Sequence, residues 1–163
     1  PERRWPKCGA DLVVKQLQAQ SDAHPGMVFI KVDIKAAFQR LRRDPAIRAM
    51  AVHVPEIAWV LDKWYSGSAK HLWRDAAGSF EDVESTLGFD QGDPLAPAAF
   101  AVGQREALSQ LLEELSRQDP DVRLYSYLDD TYLVLPAQLA TAALHRLGEL
   151  LEPLGLELNA SKT

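Results

Sequence analysis

Apolar positions change period several times along the chain. Ala10, Leu12, Val13 and Leu17 recur at helical spacing up to Ala23, and His24-Pro25-Gly26 ends that pattern in a turn. From Met27 to Ile34 the period drops to two. Val28, Ile30, Val32 and Ile34 share one face while Phe29, Lys31 and Asp33 share the other, which predicts a strand with Asp33 near its C-terminal end. Lys35 to Leu41 then favours helix, and Ile57, Val60, Leu61 and Trp64 mark one face of a further helix that Pro55 can start.

His71-Leu72-Trp73 and Phe80 to Val83 flank Asp75-Ala76-Ala77-Gly78 and predict a β-hairpin. After the Gly- and Pro-rich loop Gly88 to Pro97, the stretch Ala98 to Arg117 carries Phe100, Leu108, Leu111, Leu112 and Leu115 with no internal Pro. It predicts one long buried helix. Leu124 to Leu128 and Thr131 to Leu135 read as two short strands with Asp129-Asp130 at the turn. Leu139 to Leu151 is amphipathic helix, stopped by Pro153 and Gly155, and Leu156-Glu157-Leu158 begins a last strand. Trp59, Trp64, Tyr125 and Tyr132 fall at core spacings. Together these predict an α+β fold, an antiparallel sheet packed on helices, as a single domain over residues 1–163.

At 163 residues, 47% hydrophobic and 25% charged, the chain fits one domain with a substantial core. The lone Cys8 excludes an internal disulfide, and His24, His53, His71 and His145 lack paired metal-ligand spacing. Eighteen Lys and Arg against 23 Asp and Glu give a net charge of −5, the wrong sign for binding nucleic acid by bulk electrostatics. A polyanion would need bound cations or a local basic stripe. Lys35, Arg40, Arg42, Arg43 and Arg48 form the only dense basic stretch, suited to follow a phosphate backbone or to solvate a helix face. No apolar run reaches membrane-spanning length and no signal pattern opens the chain, so an intracellular protein with no membrane partner is expected. The sequence begins at Pro1 and stops in a polar phrase, and reads as an excerpt from something longer.

Three carboxylates carry the candidate chemistry. If the strand ending at Asp33 neighbours the Asp129-Asp130 hairpin, the three converge, and like charges at close range either raise a pKa or recruit a cation. Oxygen-only ligands select a hard ion such as Mg²⁺, and paired ions of that kind serve displacement at phosphorus. An Asp-Asp pair alone is ordinarily turn chemistry. Here it is gripped between Leu124-Tyr125-Ser126-Tyr127-Leu128 and Tyr132-Leu133-Val134-Leu135, which would hold it on a rigid platform.

Four blocks carry a family resemblance. Phe29-Ile30-Lys31-Val32-Asp33-Ile34-Lys35-Ala36-Ala37-Phe38 resembles the first catalytic block of reverse transcriptases, an apolar strand and Asp with an aromatic five residues on. Gly88-Phe89-Asp90-Gln91-Gly92-Asp93-Pro94-Leu95-Ala96-Pro97 is similar to their Gln-Gly-Asp-Pro-Leu-Ser-Pro loop. Tyr127-Leu128-Asp129-Asp130 resembles their aromatic-x-Asp-Asp box, and Gly155 to Thr163 the block that follows. Order and spacing resemble the palm of the non-LTR retrotransposon and group II intron type, from about Met27 onward.

The resemblance implies RNA-directed DNA synthesis within a retroelement, from deoxynucleoside triphosphates on an RNA or DNA template-primer. It implies two Mg²⁺ ions, with Mn²⁺ as a substitute, held by Asp33 and Asp129 with support from Asp130 and the Ile34 carbonyl. It further implies Phe38 as steric gate beside Ala37, Gln91 and Gly92 along the nucleotide, and Lys162 as proton donor to pyrophosphate. Asp93 and Pro94 suit a helix entry, as cap and first helical residue. Asp90 replaces the family's usual basic residue and Ala96 its usual Ser. No segment here matches the fingers or thumb, so these are expected as partners from the parent polyprotein, with nuclear location in a eukaryotic element. The rival readings are a catalytically inactive palm-like scaffold that binds nucleic acid or protein, and a decayed retroelement fragment.

Overall fold

A computed structural model describes residues 9–65, 67–90 and 92–163, and Cys8 and Gln91 lie outside them. The period-two stretch forms β1 (Met27–Val32), and the paired strands around the acidic doublet form β4 (Arg123–Tyr127) and β5 (Asp130–Pro136). β5 is central in a three-stranded antiparallel sheet, with β1 on one side and β4 on the other. Val32 pairs with Thr131, and Ser126 with Thr131. Alternation therefore sends Val28, Ile30, Val32, Leu133, Leu135 and Leu124 to one face, which joins the core.

Helices cover that face. The expected helices near the N-terminus and after Pro55 are α1 (Gly9–Ala23) and α4 (Pro55–Tyr65), and α2 (Ala37–Arg40) follows β1. One element was not expected: α3 (Arg43–His53), which the Asp44-Pro45 and Arg48 interruptions of its apolar pattern conceal. Pro45 sits in its first turn, where a missing N–H costs nothing. The predicted hairpin is β2 (Ala69–Arg74) paired with β3 (Phe80–Ser85), its turn closed by the Asp75 side chain on the Ser79 N–H.

The single long helix expected over 98–117 is two, α5 (Ala96–Gly103) and α6 (Arg105–Ser116), broken at Gln104. α5 packs on α3, and Gly103 lies so close to it that a Cβ there would stand 3.1 Å from Ala46 Cβ. α6 turns instead to pack on α7 (Ala140–Leu151), burying Leu111, Leu115, Leu147 and Leu151. The last expected strand reduces to a single bridge between Ile34 and Leu158.

Trp59 and Trp64, assigned to packing by their spacing, are 64% and 59% exposed. The buried face of α4 is Ala58, Leu61 and Tyr65, which turns both tryptophans outward, and the Trp59 indole N–H donates to the Glu56 carbonyl. Tyr125 and Tyr132 are half-buried on the sheet face opposite the core.

Candidate functional site

Asp33 directly follows β1, one step beyond the Val32–Thr131 pair, so the register carried forward sets it opposite Asp130. Both acids project from the face opposite the core, as does Lys31. Lys31 Nζ meets Asp130 Oδ1 at 2.8 Å, and this hydrogen-bonded contact raises the Lys31 pKa, with Asp33 adding to the effect. Asp130 thus engages this ammonium directly, and Asp33 acts on it through charge alone.

On its other side Asp33 is fixed by the chain's last residues. Asn159 N–H donates to the Asp33 carbonyl at 2.8 Å, and Lys35 N–H to the Glu157 carbonyl at 2.9 Å. In that antiparallel pattern the flanking residues make the bonds, so the N–H and C=O of Ile34 point away from Leu158 and toward the hairpin side. The Asn159 amide also donates to Asp33 Oδ2 at 2.8 Å, and the Asp33 N–H to Thr163 Oγ1 at 3.2 Å.

Tyr127 pairs with Asp130, leaving Leu128 and Asp129 as a two-residue turn. Leu128 takes φ +58, a left-handed conformation that strains a branched residue. Asp129 is exposed at the tip, and among the described residues it has no hydrogen-bond or ion-pair partner. Within those residues no three His, Cys, Asp or Glu side chains are grouped so as to hold a metal ion. Asp130 turns to Lys31 and Asp129 stands exposed in the turn, while Asp33 lies across the register from Asp130. The donors nevertheless suit Mg²⁺, which prefers oxygen ligands and takes one or two carboxylates plus substrate phosphates rather than a closed protein cage.

The loop expected to meet a nucleotide lies beside α2. Phe38 stacks on Phe100 with ring centroids 4.7 Å apart, and its carbonyl accepts the Phe89 N–H at 2.9 Å. Phe38, Asp90, Gly92, Asp93, Ala96 and Pro97 line a cavity of about 170 Å³, which brings two predicted substrate residues together. Ala37 is buried behind them. Gly88, at φ +71, passes so near α2 that a Cβ would stand 2.1 Å from the Gln39 carbonyl oxygen; no other residue fits there. Gly92, at φ +97, has open space where a Cβ would be, so its backbone is approachable. Asp93 does not cap the helix as expected: α5 starts at Ala96, and Asp93 Oδ1 accepts the Leu95 N–H in the preceding turn.

Sequence reasoning missed the supports of this loop. Arg43, only 5% exposed, donates to the carbonyls of Gly88, Ser85 and Gly67 and stacks on Tyr65. The Tyr65 hydroxyl donates to Asp93 Oδ2; burial, with that hydrogen bond, pushes the phenol up to about 12. The basic stretch is therefore no continuous stripe. Arg43 is structural, and Lys35 and Arg40 are both paired with Glu157, whose carboxyl they hold below its usual range. Arg42 and Arg48 remain exposed. Lys162 is exposed in the terminal turn, where its backbone N–H donates to the Asn159 carbonyl at 2.9 Å.

An antiparallel sheet backed by helices, with an acidic doublet at one hairpin and a third acid just past the end of the neighbouring strand, is the palm-like architecture of template-directed polymerases. The chain belongs to the reverse transcriptase (RNA-dependent DNA polymerase) family, whose model matches residues 5–163. No curated protein sequence matches it. Among solved structures it resembles telomerase from Candida albicans in complex with a TWJ fragment of telomeric RNA, with a TM-score of 0.71 at 16% identity over 94% of this chain and 29% of that one. Apo telomerase from Candida tropicalis gives 0.70 at 13% identity, over 94% of this chain and 31% of that one. The chain thus spans less than a third of the length of these telomerase chains. Among the described residues no helix is long and apolar enough to cross a membrane.

Proposed function

We propose that this chain is the catalytic palm of a retroelement RNA-directed DNA polymerase, adding deoxynucleotides to a primer 3′-hydroxyl. The observation that carries this reading is the register, which sets Asp33 against the Asp129-Asp130 hairpin at one end of the sheet. Asp33, Asp129, Asp130 and the Ile34 carbonyl would hold two divalent ions, whose chemistry when bound is to stabilise the attacking and departing oxygens at phosphorus. The chain's own contribution is rigid placement. Asn159 leaves one oxygen of Asp33 unengaged, and Lys31 holds the neighbouring Asp130 carboxylate in place. Phe38 stands under the sugar and excludes a 2′-hydroxyl, Gly92 and Gln91 follow the nucleotide backbone and base, and Lys162 protonates the departing pyrophosphate. Template-primer duplex and the fingers and thumb of a longer polypeptide complete the enzyme.

The test is primer extension by the full polypeptide with Mg²⁺. Asp129→Asn should abolish synthesis and leave the melting temperature within a few degrees of wild type. Undiminished synthesis would refute the assignment, and a wild-type polypeptide that neither extends primers nor gains saturable stability from Mg²⁺ would be the inactive scaffold.

A further inference from the structure

Gln104, 1% exposed, joins Arg43 and Thr131 as the buried polar or charged residues among those described. A primary amide is costly to bury unless its donors and acceptor are met. Here only the donor side is served. Nε2 donates to the Leu128 carbonyl at 2.9 Å and stands 3.5 Å from Ser126 Oγ, while Oε1 has no partner. An apolar residue of equal length would remove that unpaired oxygen, so packing alone gives no reason for an amide at this position.

Its one good contact falls at the strained point of the site. Leu128 is the first residue of the two-residue turn, at φ +58, and Asp129 is the second. Such a conformation is strained for a non-glycine residue and persists only where its surroundings enforce it. The break between α5 and α6 falls at Gln104 itself, whose backbone at φ −90 and ψ −10 delivers the side chain under the turn. Thr131 Oγ1 donates to Ser126 Oγ at 3.1 Å, tying the base of the same hairpin. Two independent irregularities, a broken helix and a left-handed leucine, therefore meet in one hydrogen bond.

We propose that Gln104 is a positioning residue: by holding the Leu128 carbonyl it fixes the left-handed turn that presents the Asp129 carboxylate. Its kinetic consequence rests on the polymerase reading above; its conformational consequence does not. Loss of the bond lets the turn relax toward unstrained geometry and swings Asp129 away from its productive position. A misplacement of about an ångström at a reacting centre can cost on the order of a hundredfold in rate.

The experiment compares wild-type full polypeptide with Gln104→Met, which keeps length and loses the donor, and Gln104→Glu, which turns an acceptor on the Leu128 carbonyl. Hydrogen exchange, followed by mass spectrometry, should quicken several-fold over Tyr127–Thr131 in both variants and stay unchanged in α7 and β1. In primer extension, kcat should fall about tenfold or more while KM for the deoxynucleotide holds within about twofold, the signature of lost placement rather than lost binding. Leu128→Asn added to Gln104→Met should recover part of kcat, because Asn tolerates the left-handed region. Unchanged exchange at the hairpin overturns the proposal whatever the activity. Quickened exchange with unaltered kcat in an active enzyme overturns it equally, as does exchange that rises throughout the fold in both variants. A wild-type polypeptide that makes no DNA defeats the polymerase reading instead, and the exchange result still decides whether Gln104 holds the turn.

Discussion

Asn159 grips Asp33 twice, its backbone N–H on the Asp33 carbonyl and its side-chain amide on Oδ2, each at 2.8 Å. The two bonds lock both the main chain and the carboxylate of the acid that follows β1, and they engage one carboxylate oxygen while the other stays free of Asn159. Groups that orient a ligand carboxylate in this way are worth about 10–100-fold in metal affinity or activity. Asn159→Ala should lower primer-extension rate by that order and raise the Mg²⁺ concentration needed for half-maximal rate. A Mg²⁺ titration of initial rates checks it, and a titration superimposable on wild type would show that Asp33 needs no such hold.

Phe38 is pinned from behind by Phe100 and faces the cavity it shares with Gly92. Its ring cannot retreat without opening the core. Phe38→Val should therefore shrink the barrier to a 2′-hydroxyl, reducing discrimination between deoxy- and ribonucleotides by roughly tenfold or more in kcat/KM. The same substitution removes a ring contact on Phe100 and should cost about 2 kcal/mol of stability. Competitive incorporation of paired nucleotides measures the first effect and urea unfolding the second. Unchanged sugar selectivity would remove the gate from Phe38.

What the sequence revealed follows from which signals are local. The alternation of Val28, Ile30 and Val32 could be read because period two with β-branched residues has one physical meaning, and the turn at Asp129 because strands flank it closely. Arg43 could not be read: a guanidinium satisfied by backbone carbonyls from distant loops looks, in one dimension, like part of a solvated basic run. Gln104 hid because the Gly103 before it reads as a tolerated glycine inside a proline-free helical pattern, and the bond from Gln104 to the Leu128 carbonyl is tertiary and leaves no local trace. The Asn159–Asp33 contact joins residues 126 positions apart and has no local trace. Trp59 and Trp64 misled because their spacing matches a helix face without specifying which face is buried.

Arg43 joins three separate carbonyls and one hydroxyl: Gly88 at 2.7 Å, Ser85 at 2.9 Å, Gly67 at 3.2 Å and Ser85 Oγ at 3.0 Å. It ties the start of α3 to the base of the β2–β3 hairpin and to the loop entering the Gly92 turn. Arg43→Met preserves much of the stem packing yet strands buried carbonyls, and should cost about 3 kcal/mol. Arg43→Lys should recover only part of this, because an ammonium cannot reproduce the planar fork of donors. Urea midpoints at constant m-value test both. Full stability of the methionine variant would mean that water replaces the guanidinium at no cost.

Glu114 and Arg146 form a two-pronged pair between α6 and α7, at 2.7 Å and 2.8 Å. Hydrogen bonds from Arg146, and then from Gln110, hold the Glu114 carboxyl down to about 2. In the unfolded chain it titrates near its ordinary value, about 4.3. The folded value lies below the unfolded one, so the pair's contribution is fully present above about pH 5 and fades as pH falls toward 2. Glu114→Gln removes the titrating group while keeping its shape. The stability difference between wild type and Glu114→Gln, read from urea midpoints, should be constant from pH 7 to pH 5 and then narrow steadily as the solution is acidified. A gap that stays constant down to pH 2 would mean that the ion pair contributes nothing through its charge, and that α6 and α7 are held by Leu111, Leu115, Leu147 and Leu151 alone.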